Sequence, residues 1–204
     1  MNDRHSPWIG AVFIGGASRR MGVAKCLLER QGRPLALYLG DQVAAVLDAP
    51  AVFVGEAPSD GDAFANLRCI ADREARGGPL SGLLGLMDAH DAAGYLVLAT
   101  DLYAMNGSAL DWLCDQVHQR PRPETAVWPR FPERDLGEPL AAFYPRAVKP
   151  FLERAWQQGK RSLIRSLPPS ERFEPVIPDH LMWAFRGVNT PEELERMRDT
   201  LADS

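Results

Sequence analysis

Apolar and polar positions along the chain fall into blocks that predict strands and helices in alternation. Residues 8–14 (WIGAVFI) form a continuous apolar run, the pattern of a strand buried on both faces. Over residues 34–47 the apolar positions Leu35, Leu39, Val43, Val46 and Leu47 recur near the helical period, with Pro34 at the start, where proline is tolerated. Residues 51–54, between Pro50 and Gly55, read as a second strand, and residues 59–62 as polar loop. Strand, helix and strand at this spacing imply a right-handed parallel crossover. After Gly77-Gly78-Pro79, the positions Leu80, Leu83, Leu84 and Met87 mark a helix to about His90. Residues 95–100 (YLVLAT) are the strongest strand and end at Asp101. Ser108, with Asp111 three residues on, is the expected N-cap of a helix over 109–119.

Past the proline-rich 120–124 the pattern changes. Residues 126–128 and 138–144 read as strands joined by a charged loop, an antiparallel addition to the sheet. Residues 147–157 read as a helix that Gly159 ends, and 161–167 as a short one. Thr190-Pro191-Glu192-Glu193 predicts a last helix with Thr190 as N-cap and Glu193 completing a capping box.

At 204 residues the chain is expected to form one domain, which at this size buries roughly 70% of its unfolded surface and needs no staples. The net charge of −4 argues against a general nucleic-acid binder, although local basic clusters can still hold phosphate. Cys26, Cys69 and Cys114 are far apart and odd in number, which supports neither a disulfide framework nor a metal site and points to a reducing, cytoplasmic setting. No stretch approaches a signal peptide or a membrane span.

The chemistry gathers at Gly15 to Lys25, GGASRRMGVAK. Two glycines after a buried strand let backbone N–H groups approach a ligand, and Arg19, Arg20 and Lys25 supply the charge that a triphosphate needs. The spacing is neither a P-loop nor a dinucleotide fingerprint. Taken alone, it also fits an ordinary turn with a solvated basic face. Asp72, before Gly77-Gly78, could accept hydrogen bonds from a base with adjacent N–H donors, as guanine has, or could belong to a plain loop. Asp101 stands where open α/β sheets bind ligands; it reads as a helix cap or as a ligand for Mg²⁺ held between carboxylate and phosphate.

Five blocks in one order carry a resemblance: GGASRRMGVAK, GGPLSGLL at 77–84, LVLATD at 96–101, GEPLAAFYPRA at 137–147 and GVNTPEEL at 187–194. Together they resemble the molybdenum cofactor guanylyltransferases, the MobA family. The resemblance implies an α/β class fold, a Rossmann-like three-layer α/β/α nucleotidyltransferase of GT-A-like form with a mostly parallel sheet and a small antiparallel addition. It implies transfer of GMP from GTP to the phosphate of molybdenum-bearing molybdopterin, with release of pyrophosphate. By position, Phe13, Ile14, Gly15, Gly16 and Gly78 would hold the nucleotide, Arg20 and Lys25 its triphosphate, Asp72 the guanine, Asp101 Mg²⁺ and Asn189 the acceptor. Arg20, Lys25 and Asp101 would carry the catalysis, and the scattered histidines would take no part. Gly15-Gly16 favours a purine over cytosine, since a methyl group there would fill the space beside the base.

The chain departs from the family pattern at Phe13-Ile14, at Ala24, at Leu102-Tyr103, at Gly55 and at Gly187, the last two being places where the family can carry asparagine. The alternatives are a nucleotidyltransferase with CTP or another acceptor, and a non-catalytic nucleotide-binding partner that delivers cofactor to molybdoenzymes.

Overall fold

The computed structural model describes residues 8–15, 21, 23–57, 64, 67 and 69–202. In chain order the strands and helices are β1 (Trp8–Phe13), the hairpin β2 (Glu29–Arg30) and β3 (Arg33–Pro34), α1 (Leu35–Leu47), β4 (Val52–Val54), β5 (Cys69–Ile70) and α2 (Gly78–Ala89). Then follow β6 (Gly94–Ala99), α3 (Gly107–Gln119), β7 (Ala126–Val127), β8 (Ala141–Pro145), α4 (Lys149–Gln157), β9 (Arg172–Phe173) and α5 (Pro191–Ala202). Seven strands make one sheet in the order β5-β4-β1-β6-β8-β7-β9. The first four are mutually parallel, whereas β8 runs antiparallel to both β6 and β7, and β9 lies parallel to β7. The mostly parallel sheet with an antiparallel addition is therefore present, widened at its two edges by β5 and β9, which the pattern did not predict.

Alternation along the strands assigns the two faces. Val12, Ile14, Leu96, Leu98, Ala141 and Phe143 pack toward α1 and α3. Ala11, Phe13, Tyr95, Val97, Ala142 and Tyr144 pack toward α2 and α4. With period-2 side chains buried on both sides, the strands read as unbroken apolar runs, and helices cover both faces. The chain runs from β1 out to β4 and β5, then returns through α2 to β6 on the other side of β1. The strand order thus reverses beside β1, which is where sheets of this kind open a crevice for ligand.

Several boundaries differ from the sequence reading. The N-cap of α3 is Asn106, not Ser108: its extended backbone aims Oδ1 at the Ala109 N–H, 3.0 Å away. The strand expected at 138–144 begins only at Ala141, and the helix expected at 161–167 is a single 3₁₀ turn, Leu163–Arg165. The capping box of α5 is offset. Thr190 Oγ1 accepts the Glu193 N–H at 3.3 Å, while the Glu193 carboxylate reaches back to the N–H of Asn189, at 2.7 Å, instead of to Thr190.

The helices are fastened to the sheet and to each other by small residues and charge. Arg73, just past β5, donates to Asp88 on α2 and to Glu153 on α4, each at 2.6 Å, and Lys149 of α4 reaches Asp88 at 2.7 Å. Gly10 in β1 lets α1 approach the sheet, since a Cβ there would stand 2.0 Å from Val43 Cγ1. Gly10→Val should lower stability to urea unfolding by about 1–3 kcal/mol, the usual cost of an overpacked core. An unchanged urea midpoint would show that α1 can move off without loss.

Candidate nucleotide and metal site

The carboxyl ends of β5, β4, β1 and β6 lie along one edge of the sheet, because all four are parallel. That edge collects the described candidates. Phe13 ends β1, and Ile14 donates its N–H to the Val54 carbonyl at 2.9 Å, which carries the pairing with β4 to the mouth of the crevice. Gly15 follows, exposed, against the turn after β4. Gly55 in that turn has φ of +110°, and a Cβ on it would lie 2.7 Å from the Gly15 nitrogen. A side chain at 55 is thus excluded by the start of the first loop, a physical reason for glycine where the family can carry asparagine. Gly16 and Arg20, together with Arg19, lie outside the described residues, as does the loop expected at 59–62.

Asp72 sits just past β5, a strand too short to show in the sequence. Its turn is pinned to α2 by Ser81, whose Oγ accepts the Glu74 N–H at 2.8 Å and donates to the Glu74 carbonyl at 3.0 Å. Gly82 leaves room for the Asp72 carboxylate beside the Phe13 ring: a Cβ there would meet Asp72 Oδ1 at 3.2 Å and Phe13 Cε1 at 2.7 Å. Burial pushes the Asp72 carboxyl above its ordinary range. Gly78 has φ of +74° and packs against the Arg161 carbonyl, which accepts the Leu80 N–H at 3.4 Å. Arg161 in turn stacks on Trp156 at 3.8 Å and pairs with Glu74 at 3.4 Å, so Arg161 braces the second glycine loop.

Asp101 follows β6, on the opposite side of β1 from Asp72. The strands that carry the two aspartates are three places apart, on the order of 14 Å, a gap that a nucleotide lying across the strand ends can bridge. The Asp101 main-chain carbonyl accepts the N–H groups of Tyr103, at 2.9 Å, and Val188, at 2.8 Å. The second bond brings the chain's last connection back to this edge. There Gly187 packs against the carboxylate: a Cβ on it would stand 2.9 Å from Asp101 Oδ2 and 3.8 Å from Asn189 Nδ2. The absent side chain makes room for Asp101. Lys25 Nζ donates to Asn189 Oδ1 at 2.7 Å, so Asn189, expected on the acceptor side, meets Lys25.

Glu138 is the residue that sequence reasoning missed. It lies in the GEPLAAFYPRA block, yet nothing in its spacing marks it. Antiparallel pairing of β8 with β6 places it at the edge: Ala99 donates to the Leu140 carbonyl at 2.9 Å, and the Glu138 N–H to Pro129 at 2.8 Å. Tyr103, which departs from the family pattern, ties three segments together, with Oη donating to the Glu29 carbonyl at 2.9 Å and Arg198 of α5 reaching it at 3.3 Å.

The electrostatics of this corner are those of carboxylates without enough counter-charge. Burial pushes the Asp101 carboxyl up, against the opposing field of Lys25. Burial also raises Glu138, the Arg134 charge opposes this, and the Asp101 charge adds to the rise. Hard oxygen donors beside a cleft suit a divalent cation. Among the described residues no cluster of three or more acidic, histidine or cysteine side chains could hold a metal alone, so phosphate and water would have to complete any Mg²⁺ shell.

Residues 10–172 match the MobA-like NTP transferase domain. The site therefore lies in a nucleotidyltransferase-type sheet, and the chain belongs to the MobA-like family. It is 31% identical over 208 residues to a probable molybdenum cofactor guanylyltransferase of Opitutus terrae, covering 97% of this chain and 98% of that protein. It is 29% identical over 192 residues to a molybdenum cofactor biosynthesis bifunctional protein of Synechocystis, and there spans 92% of itself but 53% of the relative. The solved structure of molybdopterin-guanine dinucleotide biosynthesis protein A from Archaeoglobus fulgidus shares the fold, with a TM-score of 0.73 at 22% identity over 96% of this chain and 99% of that one. No helix among the described residues is long and apolar enough to cross a membrane.

A carboxyl raised on folding stabilises the fold where it is protonated, and that contribution is lost as pH rises through its folded value. Above that value the folded protein bears the cost of the charge on Asp101. Asp101→Asn should raise the thermal midpoint at neutral pH by a few degrees, the response of a chain this long to about 1 kcal/mol. The gain should vanish as pH falls below the carboxylate range. A midpoint lowered at neutral pH would show Asp101 to be a net stabilising charge.

Proposed function

We propose that this chain transfers GMP from GTP to the phosphate of molybdenum-bearing molybdopterin and releases pyrophosphate. The observation that carries the reading is the convergence of Asp101, Glu138, Lys25 and Asn189 at the sheet edge beside the strand-order reversal. The names of relatives that match nearly the whole chain give the substrates. In this reading Asp72, some three strands away, would accept the adjacent N–H donors of guanine, Phe13, Ile14, Gly15 and Gly78 would meet the nucleotide with backbone, and Arg20 and Lys25 would meet the triphosphate.

An oxygen of the acceptor phosphate attacks the α-phosphorus of GTP, the bond from that phosphorus to the bridging oxygen breaks, and pyrophosphate leaves. No side-chain nucleophile is needed, because the acceptor brings its own. What the chain supplies is in-line placement and cationic charge. Asp101, with Glu138 beside it, would hold Mg²⁺, which when bound neutralises charge developing on the phosphates. Lys25 brings its positive charge to the triphosphate. The tight seam between Gly15 and the Gly55 turn fixes where the chain leaves β1. The three free cysteines accord with work in a reducing cytoplasm.

Two measurements test this. Calorimetric titration with GTP and with CTP, each with and without Mg²⁺, should give Mg²⁺-dependent binding that favours GTP; preference for CTP would overturn the guanine assignment. Asp101→Ala should abolish GMP transfer to molybdopterin, and Lys25→Ala should reduce it about 10²–10³-fold, the loss typical of one charge-stabilising group. Retained turnover in the aspartate variant would remove Asp101 from the mechanism.

A further inference from the structure

Glu138 is held by its backbone on one side and by a cation on the other. Its N–H goes to the Pro129 carbonyl at 2.8 Å, and Ala99 of β6 donates to the Leu140 carbonyl at 2.9 Å. Gly137 lies so near Trp128 that a Cβ on it would stand 2.4 Å from the Trp128 carbonyl. These contacts set the Glu138 carboxylate beside Asp101, close enough for the Asp101 charge to act on it. The same carboxylate accepts a hydrogen bond from Arg134 Nη1. The two partners are unequal: Arg134 is 54% exposed and Glu138 27%, so the cation opens to solvent while the carboxylate is the more enclosed.

We propose that Arg134 is a positioning residue that acts as a movable counter-charge: it holds the Glu138 carboxylate in the metal-free protein and releases it to a divalent cation shared with Asp101.

Two carboxylates side by side in a partly desolvated corner repel each other, and a cation beside them lowers that cost. In the free protein Arg134 supplies one. The compensation is incomplete, since burial still holds Glu138 above its ordinary range. Arg73 behaves differently: it is 23% exposed, meets Asp88 and Glu153 at 2.6 Å each, and leaves both below the ordinary range, a pairing made to stay. Arg134 is made to let go. The loop under it is braced without the ion pair, because Arg130 Nη1 donates to the Arg134 carbonyl at 2.7 Å and to the Phe131 carbonyl at 3.3 Å, and the Arg134 N–H goes to the Phe131 carbonyl at 3.1 Å. Its guanidinium carbon lies 4.7 Å from the centre of the Phe131 ring, a surface along which the side chain can shift without losing its apolar support. A divalent cation takes carboxylate oxygens directly and brings two positive charges, which repel Arg134. Metal and arginine are therefore alternatives at Glu138.

This inference rests on Asp101 and Glu138 being the metal ligands of the guanylyltransferase reading, and its test separates the two. Wild type, Arg134→Ala, Arg134→Lys, Glu138→Gln and the Arg134→Ala/Glu138→Gln double variant are titrated with Mn²⁺ alone at mildly alkaline pH and low salt, followed by the electron paramagnetic resonance signal of the free ion. Calorimetry measures GTP binding to wild type with Mg²⁺, and thermal unfolding confirms that each variant is folded. Arg134→Ala should tighten Mn²⁺ binding about two- to fivefold, the range of a solvent-exposed ion pair, and the gain should shrink as salt screens the charges. Arg134→Lys, which keeps the charge, should stay near wild type. Glu138→Gln should weaken Mn²⁺ binding, and Arg134→Ala should add nothing in that background. An Arg134→Ala variant with weaker or unchanged Mn²⁺ affinity overturns the proposal, because an arginine that merely braces Glu138 would cost affinity when removed and a merely solvated one would leave it alone. An equal gain in the Glu138→Gln background also overturns it, since Arg134 would then act on the whole site. A wild type that binds neither Mn²⁺ nor GTP overturns the guanylyltransferase reading along with it. A wild type that binds GTP with Mg²⁺, but takes up no Mn²⁺ alone or shows no Arg134 effect, overturns this inference alone.

Discussion

The Asp101 carbonyl, just past the wholly buried strand β6, accepts two backbone N–H groups, one from the turn that follows and one from Val188. The second bond joins parts of the chain that are far apart in sequence. Through it the connection before α5 reaches the mouth of the crevice, and Gly187 and Asn189 come to lie against the Asp101 carboxylate and Lys25. Tyr103 strengthens the same junction by binding the Glu29 carbonyl and receiving Arg198. Were that corner to open, the two halves of the site would lose their common reference, although the sheet itself could persist.

Charge is handled in opposite ways near the C-terminus of α2 and at the crevice. Near its C-terminus, Asp88 is satisfied: burial raises it, but Lys149 and Arg73 outweigh burial and hold it below the ordinary carboxylate range, and Arg73 does the same for Glu153. At the crevice Asp72, Asp101 and Glu138 are all raised, with burial as the leading cause. The first set fastens a helix pair. The second leaves three carboxyls raised by burial at the candidate site, the opposite of the direction in which the ion-paired carboxylates move.

The sequence made the long elements legible because their signals are periodic. β1 and β6 are unbroken apolar runs, and α1 and α2 carry apolar residues at helical spacing. β5, β9 and the β2–β3 hairpin are each two-residue strands, too short for any period, and exist because a neighbouring edge is available to pair with. Asn106 and Ser108 are both good caps; which one is used depends on where the backbone turns after Asp101, and that is decided by tertiary contacts. Among site residues, Asp72 and Asp101 could be singled out because each follows a block with its own signal. Glu138 could not, because its place depends on antiparallel pairing of β8 with β6. The Lys25–Asn189 contact depends on the Val188 bond to Asp101, and no local pattern encodes it.

The seam between Gly15 and Gly55 also limits how such a chain can change over generations. A side chain at 55 would strike the backbone at 15, and the left-handed conformation at 55 would strain it as well. The first loop can therefore leave β1 on its present path only while 55 stays glycine. Lineages that acquired a larger residue there, such as a polar one able to touch a ligand, would have had to re-route the first loop in the same step. A side chain at 55 is accordingly expected only together with a changed backbone at 15.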